Sequence, residues 1–488
     1  MPDNSQVQPV AFNCEGGLIL NRSNFIMQPG EALELENFEP DISGGYRRIN
    51  GFRKYVNAVV PITSTTAENV LMTASFADKI IAARGEKIFS SASTELSIAI
   101  ASGTGMTGSG TITVPSTTGF SSSGTMQINS ELFTYTGVNA TTFTGVTRAT
   151  SSTTAAAHTK FDVVSENWTV RDTGRTNAAK YHFERYNFDG NEKIICVDGV
   201  NAPVIFNSSM TAADVSESAV AGSTVVASYR NHMFYAGKST TPQEIIFSEP
   251  FDEDGFVSGQ GAGSISVDDT VVALKVFRDS LFIFCENRIF KLTGSTSSDF
   301  SVQPVTRNIG CINSFTVQEF AGDLIFLGPD GLRTVAATAR IGDTELGTIS
   351  KNIQSVFDEN ISDAASFDSV VIPDKTQYRI FFNKDGQNAI LSKGAICVLK
   401  KEAFEFSEIL GLQTTCTDTH IIAGDVFVLH GDVNGFIQRQ EAGNTFDGTV
   451  IEGKYRSPDM AFGDPGIRKH MQRVIINYKP EGTIDADL

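Results

Sequence analysis

Three glycines, Gly103, Gly105 and Gly108, fall in the spacing GxGxxG behind the apolar run LSIAIA. That spacing lets backbone approach a pyrophosphate, provided the glycines open a helix whose N-terminal amides hold the anion. Here they run into GTITV, an alternating strand sequence, so nucleotide chemistry is not expected. Carboxylates gather in the turn EPFDEDGF (residues 249–256) and in the pair Asp268, Asp269. Calcium loops place oxygen ligands at alternating positions, and neither group has that spacing, so both are expected as solvated turns. Asp189-Gly190 and Asp385-Gly386 are hairpin dipeptides in which glycine supplies positive φ.

The six histidines (His158, His182, His232, His420, His430, His470) show neither HxH nor HExxH spacing, and no serine sits in a GxSxG elbow. The Asp-box turns SxDxGxTW of sialidase-like propellers are absent from a chain whose only tryptophan is Trp168. No catalytic, cofactor-binding or metal-ligating set is therefore nominated, although distant loop residues can converge on a folded scaffold. The cysteines (Cys14, Cys196, Cys285, Cys311, Cys397, Cys416) lack CxxC spacing, and several lie in apolar strands such as FIFCE. They are expected as buried free thiols. The start MPDNSQVQPVAFNCEGG has neither a basic nor an apolar leader region, and no run approaches the roughly 18 apolar residues of a membrane span. Synthesis and assembly in a reducing cytoplasm is the expectation.

The formal charge of −18 argues against a protein that grips nucleic acid, because phosphate binding needs clustered Lys and Arg. It is compatible with a surface that nucleic acid slides past, since like charge keeps the phosphate backbone from sticking. Two basic clusters interrupt the acidic background: Arg47, Arg48, Arg53 and Lys54 near the start, and Arg468, Lys469, His470 and Arg473 near the end. Beyond simple solvation, their functional reading is contact with an acidic neighbouring subunit, which fixes register more than it adds affinity.

The elements that must carry these residues are strands. With 43 Gly, 35 Phe, many Ser and Thr and 19% charged residues, the chain is expected to be all-β. One pattern recurs seven times, an apolar strand, a polar turn and a second apolar strand, starting at Ser75, Asn187, Ser228, Val276, Glu319, Gln377 and His420. Phe206, Phe247, Phe290 and Leu332 mark equivalent positions at steps of 41, 43 and 42 residues, matching the roughly 40–50 residues of a propeller blade. The expected fold is a β-propeller of six or seven blades.

Along the chain, residues 1–60 are expected to form an N-terminal segment whose short strands lie on the first sheet, and 61–102 the first blade. Residues 103–166, rich in Thr, Ser and Gly but still alternating in TITV, TMQI and LFTYTGV, read as a small inserted β domain between two repeats. The remaining blades occupy 167–445, with one short helix after a Ser350 N-cap, where Ile353, Val356 and Phe357 keep helical spacing. Residues 446–488 are expected as a terminal β module that completes the last sheet or docks on a neighbour.

The segment QPGEALELENFEPDISGGYRRINGFRKY resembles the opening of tail hub and nozzle proteins of short-tailed bacteriophages, the packaged-DNA stabilisation type. GDLIFLGPDGLRTVAATARIGDTELGTISKNIQ and IPDKTQYRIFF extend the likeness over about residues 15–445, with the insertion interrupting it. The insert itself is similar to a small β module recurring in marine phage structural proteins. The resemblance implies a non-enzymatic virion protein assembled in the host cytoplasm. Six copies would form a ring below the head-to-tail adaptor, contacting tail fibre, spike or needle proteins. Double-stranded DNA would pass through the lumen without specific binding, with no cofactor and no membrane span. The competing readings are a receptor-binding, adhesin-like tail propeller and, behind it, a glycosidase-type propeller enzyme.

Overall fold

The computed structural model describes residues 10–63, 68–177, 180–336, 348–383, 392–400, 403–422 and 425–460, and beyond them 462, 466, 468, 470, 471 and 473–479. The chain is a seven-bladed β-propeller. Blade one orders Val70–Phe76, Lys79–Arg84, Lys87–Ser91 and Thr169–Thr173 from the axis outward. Blades two to four repeat that meander from His182–Phe188, Val225–Tyr229 and Val271–Phe277. Among the described residues blade five has three strands, Gln318–Phe320, Asp323–Gly328 and Gly331–Thr334. Blade six starts at Asp368–Ile372 and blade seven at Cys416–Ile422. Each first strand neighbours the next blade's, through the turn Ser314–Thr316 between blades four and five, and Cys416–Ile422 lies back against Val70–Phe76.

Local chemistry explains the repetition. In blades one to five the first hairpin closes with two residues at positive φ: Ala77-Asp78, Asp189-Gly190, Arg230-Asn231, Arg278-Asp279 and Ala321-Gly322. Such turns match the right-handed twist of the flanking strands. Asp385-Gly386 lies outside the described residues. The second strand of a blade is sandwiched between neighbouring blades, which favours apolar residues on both faces, as in His232–Ala236 and Ser280–Cys285, buried throughout. Phe206, Phe247, Phe290 and Leu332 all sit on third strands, paired with Ile194, Phe234, Ile283 and Leu327 of the strand before.

The ring is closed by the N-terminal segment. Phe52–Lys54 pairs antiparallel with Ile437–Gln440 as the fourth strand of blade seven. Glu34–Glu36 adds to blade six beside Ala403–Leu410. The expectation that these strands lie on the first sheet is thus corrected: they join the last two blades, where the array would otherwise end in an open edge. Downstream, Thr445–Phe446 and Thr449–Val450 extend blade seven and Lys454–Arg456 extends blade six, rather than forming a module of their own.

The insert begins earlier than expected and interrupts blade one itself. Ser93–Glu95 pairs with Val163–Glu166 in the insert's sheet, and Thr169–Thr173 then returns as blade one's outer strand. Its seven strands enclose a separate core around Met126, Phe133, Tyr135 and Phe143. The helix after Ser350 is present as a turn Lys351–Ile353 followed by Gln354–Asn360. Ser350 does not cap it: its hydroxyl accepts from Leu332 N–H at 3.0 Å, because the buried end of blade five needs that acceptor more.

Candidate functional site

Polar groups converge where the innermost strands start. His182, the first residue of blade two, stacks on Phe315 at 4.0 Å between ring centroids and lies 2.7 Å from Ser314 Oγ. Burial, with the Lys180 and Lys275 charges, drives this imidazole down to about 3. Lys180 lies over the same Phe315 ring at 4.3 Å and pairs with Asp368 at 3.2 Å. Asp368 accepts from Thr417 Oγ1 at 3.0 Å. Blade two therefore touches blades five and six, which are not its ring neighbours, so side chains plug the axis at this end.

Further along the axis, Arg185 pairs with Asp418 and donates to the Ser75 carbonyl at 2.7 Å. Asp418 accepts from Ser75 N–H at 2.8 Å, and Glu184 from Ser228 Oγ at 2.7 Å. Each carboxylate or cation here spends its bonds on another blade, Arg185 reaching past blade one to Asp418 of blade seven. The geometry rigidifies a ring and leaves the interacting groups paired with one another.

A second polar centre lies where the N-terminal segment meets blades six and seven. Arg379, 1% exposed, contacts Glu39 at 3.2 Å and Glu441 at 2.7 Å. Lys375 pairs with Glu39 at 2.7 Å and also with Glu441. Gln377 Nε2 donates to Glu39 at 2.9 Å, and Asn50 Nδ2 to Glu441 at 2.9 Å. Burial alone would raise both carboxyls; Arg379 and Lys375 outweigh it, holding Glu39 below its usual range and taking Glu441 to about 2.

The basic residues singled out in sequence separate into two sets. Arg47 pairs with Glu39, its Nε 3.0 Å away, and Arg48 is half-buried in the hairpin opposite Phe38. Arg53 pairs with Glu95 and donates to the Phe161 carbonyl at 3.1 Å, so it clamps the insert onto blade seven. Lys54 meets Asp447 at 3.5 Å and covers the Phe436 ring. These contacts are internal to the chain, whereas Arg468 and Arg473 are exposed and Lys469 lies outside the described residues. Between the insert and blade seven an open cleft of about 540 Å³ is lined by Arg53, Asn57, Gln127, Asn129, Phe161 and Asp447, among others.

The acidic turn 249–256 serves packing: Glu249 accepts from Val257 N–H at 2.8 Å, Glu253 pairs with Lys193, and Asp254 accepts from Ser216 N–H at 2.6 Å. Asp268 pairs with Arg288, and Asp269 accepts from Asn287 N–H at 2.8 Å. Among the described residues no three His, Cys, Asp or Glu side chains form a metal-holding group. Gly108 lies in a strand, Thr107–Thr113, so GxGxxG opens no helix. All six cysteines are free and five are buried, burial raising Cys196, Cys311 and Cys416 to about 12.

Sequence reading missed Lys180, His182, Asp368, Arg379 and Glu441. Their one local signal is polarity at the start of, or inside, otherwise apolar strands, as in KYHFERY and QYRIFF.

No protein-family model and no curated protein matches the chain. Among solved structures it is similar to the computationally designed Ika8 protein, at 8% identity over 80% of this chain and 99% of that one, with a TM-score of 0.36. It is similar to PorZ, a surface component of the type-IX secretion system of Porphyromonas gingivalis, at 9% identity over 85% of this chain and 40% of that one, TM-score 0.38. For the C-terminal WD40 domain of Sif2 the figures are 12% identity, 81% of this chain, 100% of that one and 0.35. The blade count rests on the chain's own strand pairing.

Proposed function

We propose that the chain is a non-enzymatic structural subunit of a short-tailed phage virion, a tail hub or nozzle protein. The observation that carries this reading is a coincidence of residues. The segment that resembles the packaged-DNA stabilisation proteins, residues 28–55, supplies the strand that closes blade seven and the Glu39 and Arg47 of the locking network. A rigid, locked ring of blades is what a load-bearing conduit subunit requires. Because the propeller axis is plugged, DNA would pass through the centre of a ring of copies, six by the resemblance, below the head-to-tail adaptor. The −18 charge suits a wall that phosphate slides past.

Negative-stain imaging of the protein, alone and mixed with a head-to-tail adaptor complex, tests the reading. The expected result is a closed ring with a central hole and weak, shallow-sloped binding of duplex DNA at physiological salt. A chain that forms no ring under either condition, or that binds DNA tightly with a steep salt slope, ends it. The second reading, a receptor-binding tail propeller, is favoured by the cleft beside the insert, where amides of Asn57, Gln127 and Asn129 adjoin the half-exposed Phe161. Binding of a surface glycan to monomers, lost in Phe161→Ala, would select it.

A further inference from the structure

The last described stretch of the chain is built to be covered, and none of the other described residues covers it. Residues 473–479, RVIINYK, adopt no strand pairing, and Val474, Ile475, Ile476 and Tyr478 are each more than half exposed, Ile475 at 70%. Three successive β-branched residues beside a tyrosine form a strand-prone sequence that an isolated chain would hide or charge. Residues 466–480 hold Arg468, Lys469, Arg473 and Lys479 and no acidic residue, inside a chain of net charge −18. A basic, apolar arm on an acidic protein is complementary to another copy of that protein.

A surface of matching character lies at the root of the arm. Asp459 N–H donates to Asn24 Oδ1 at 2.7 Å, which pins the take-off point beside the turn Asn24–Ile26. Phe25 is 82% and Ile26 65% exposed there, so the arm leaves its own patch uncovered. The strand Lys454–Arg456 just before it is the terminal strand of its sheet among the described residues, offering an edge for pairing. Along the same blade Glu36 lies opposite Glu408 in register. Burial holds the Glu408 carboxyl above its usual range, with the charges of Glu36, Glu359 and Glu34 adding to it and Lys393 opposing it, while Glu34 itself pairs with Lys454 and with Arg456 at 3.0 Å. The 15 residues from Asp459 to Val474 reach at most about 50 Å, enough to span to a neighbour.

We infer that residues 473–479 form an arm that docks on the Phe25–Ile26 patch and blade-six rim of a second copy of this chain. The contact joins different surfaces on the two copies, so its repetition gives a ring where the rotation between copies closes and an open filament where it does not. This inference rests on the hub reading for its biological sense, but its test is separate.

In a Cys14→Ser background, full-length chains carrying Ile475→Cys or Phe25→Cys are mixed and mildly oxidised. The expected result is a disulfide-linked species of twice the chain mass, in the mixture well above either variant alone, and a ladder of multiples when one chain carries both substitutions. Cross-linking confined within the doubly substituted chain, or none, overturns the inference. In parallel, Val474→Ser/Ile475→Ser/Ile476→Ser should weaken self-association roughly 100-fold by sedimentation, with an unchanged thermal transition. Self-association equal to the parent's, or a parent that stays monomeric throughout, also overturns it. Rings that still form without the arm's apolar residues would sink the arm and leave the hub reading standing.

Discussion

The insert and the closing blades each bury an arginine against carboxylates, and they differ in how far along the chain the partners lie. In the insert, Glu131 receives Arg148 through two bonds at 2.9 and 2.8 Å, with Ala149 N–H, Ala156 N–H and His158 completing its shell. All these partners fall within 27 residues of Glu131. In the closing blades, Arg379 meets Glu39, 340 residues away. A local network can form before the rest of the chain is folded, whereas the long-range one exists only once the ring is complete. The first makes a self-contained module; the second is the latch of the propeller.

The sharpest way to break this contrast is Arg379→Ala. It leaves Glu39 and Glu441 buried without their main cation, which costs about 3–5 kcal/mol. Because the latch joins blades six and seven to the N-terminal segment, the loss should appear in the whole propeller's transition, measured by chemical denaturation. Glu131→Ala should behave differently. Burial would raise the Glu131 carboxyl, but the Arg148, Ala156 and His158 bonds outweigh it and take it to about 2. Set against an ordinary value of 4.5, that depression is worth roughly 3 kcal/mol. The loss should be confined to the insert, seen as hydrogen-exchange deprotection of Thr107–Thr113 and Glu131–Tyr135 with the propeller's protection intact.

Acid sharpens the comparison. His430 in blade seven is fully buried, has no hydrogen-bond partner among the described residues on either ring nitrogen, and is held by burial at about 3. The unfolded imidazole takes its proton near 6.5 and the folded one only near 3. Stability is therefore present above pH 6.5 and falls as pH drops toward 3, by at most about 1.4 kcal/mol per unit. His182 at the axis adds the same sign. Glu441 and Glu131, both depressed to about 2, give stability that is present above 4.5 and lost as pH falls toward 2. The propeller should begin to weaken from pH 6.5 and the insert only below 4.5. His430→Leu, against the Phe52 ring 5.0 Å away, should be neutral or stabilising at pH 7 and flatten the propeller's decline between 6.5 and 4.5. An unchanged pH profile in that variant would place the acid-sensitive step elsewhere.

What the sequence could tell divides along the same line. Phe206, Phe247, Phe290 and Leu332 announce the blades because burial between neighbouring sheets demands an apolar residue at each repeat, and the pattern is local. Asp189-Gly190 announces its turn type, while Arg230-Asn231 and Arg278-Asp279, legible as the polar turns of their repeats, take the same positive φ without glycine to signal it. The ring's closure was not legible, since nothing near Phe52 says that its partner is Gln440. The same holds for the plugged axis: His182 and Ser314 are 132 residues apart and meet only because seven blades bring them together. Arg53, taken from sequence as a subunit contact, meets Glu95 of its own chain while staying about one-third exposed, a pairing that only the folded insert brings about.

Arg53 also supplies the smallest effect and the most delicate test of the insert's autonomy. Replacing residues 93–166 by a short Gly/Ser linker should leave a cooperative propeller transition, because the insert keeps its own core and blade one needs only Thr169–Thr173 to return to Lys87–Ser91. An insoluble or molten product would mean that the insert's strands belong to the propeller core. Arg53→Ala removes only the clamp. The pair with Glu95 is about one-third exposed on each side, so solvent screening limits its worth to about 0–1 kcal/mol. Asn57 still holds the insert through its bonds to the Gln127 and Val163 carbonyls at 3.0 and 2.7 Å. The global transition should therefore stay put while exchange quickens at Ser93–Glu95 and Val163–Glu166, next to the cleft. A global loss of several kcal/mol from this one exposed side chain would show that insert and latch are a single cooperative unit, and the contrast between them would fail.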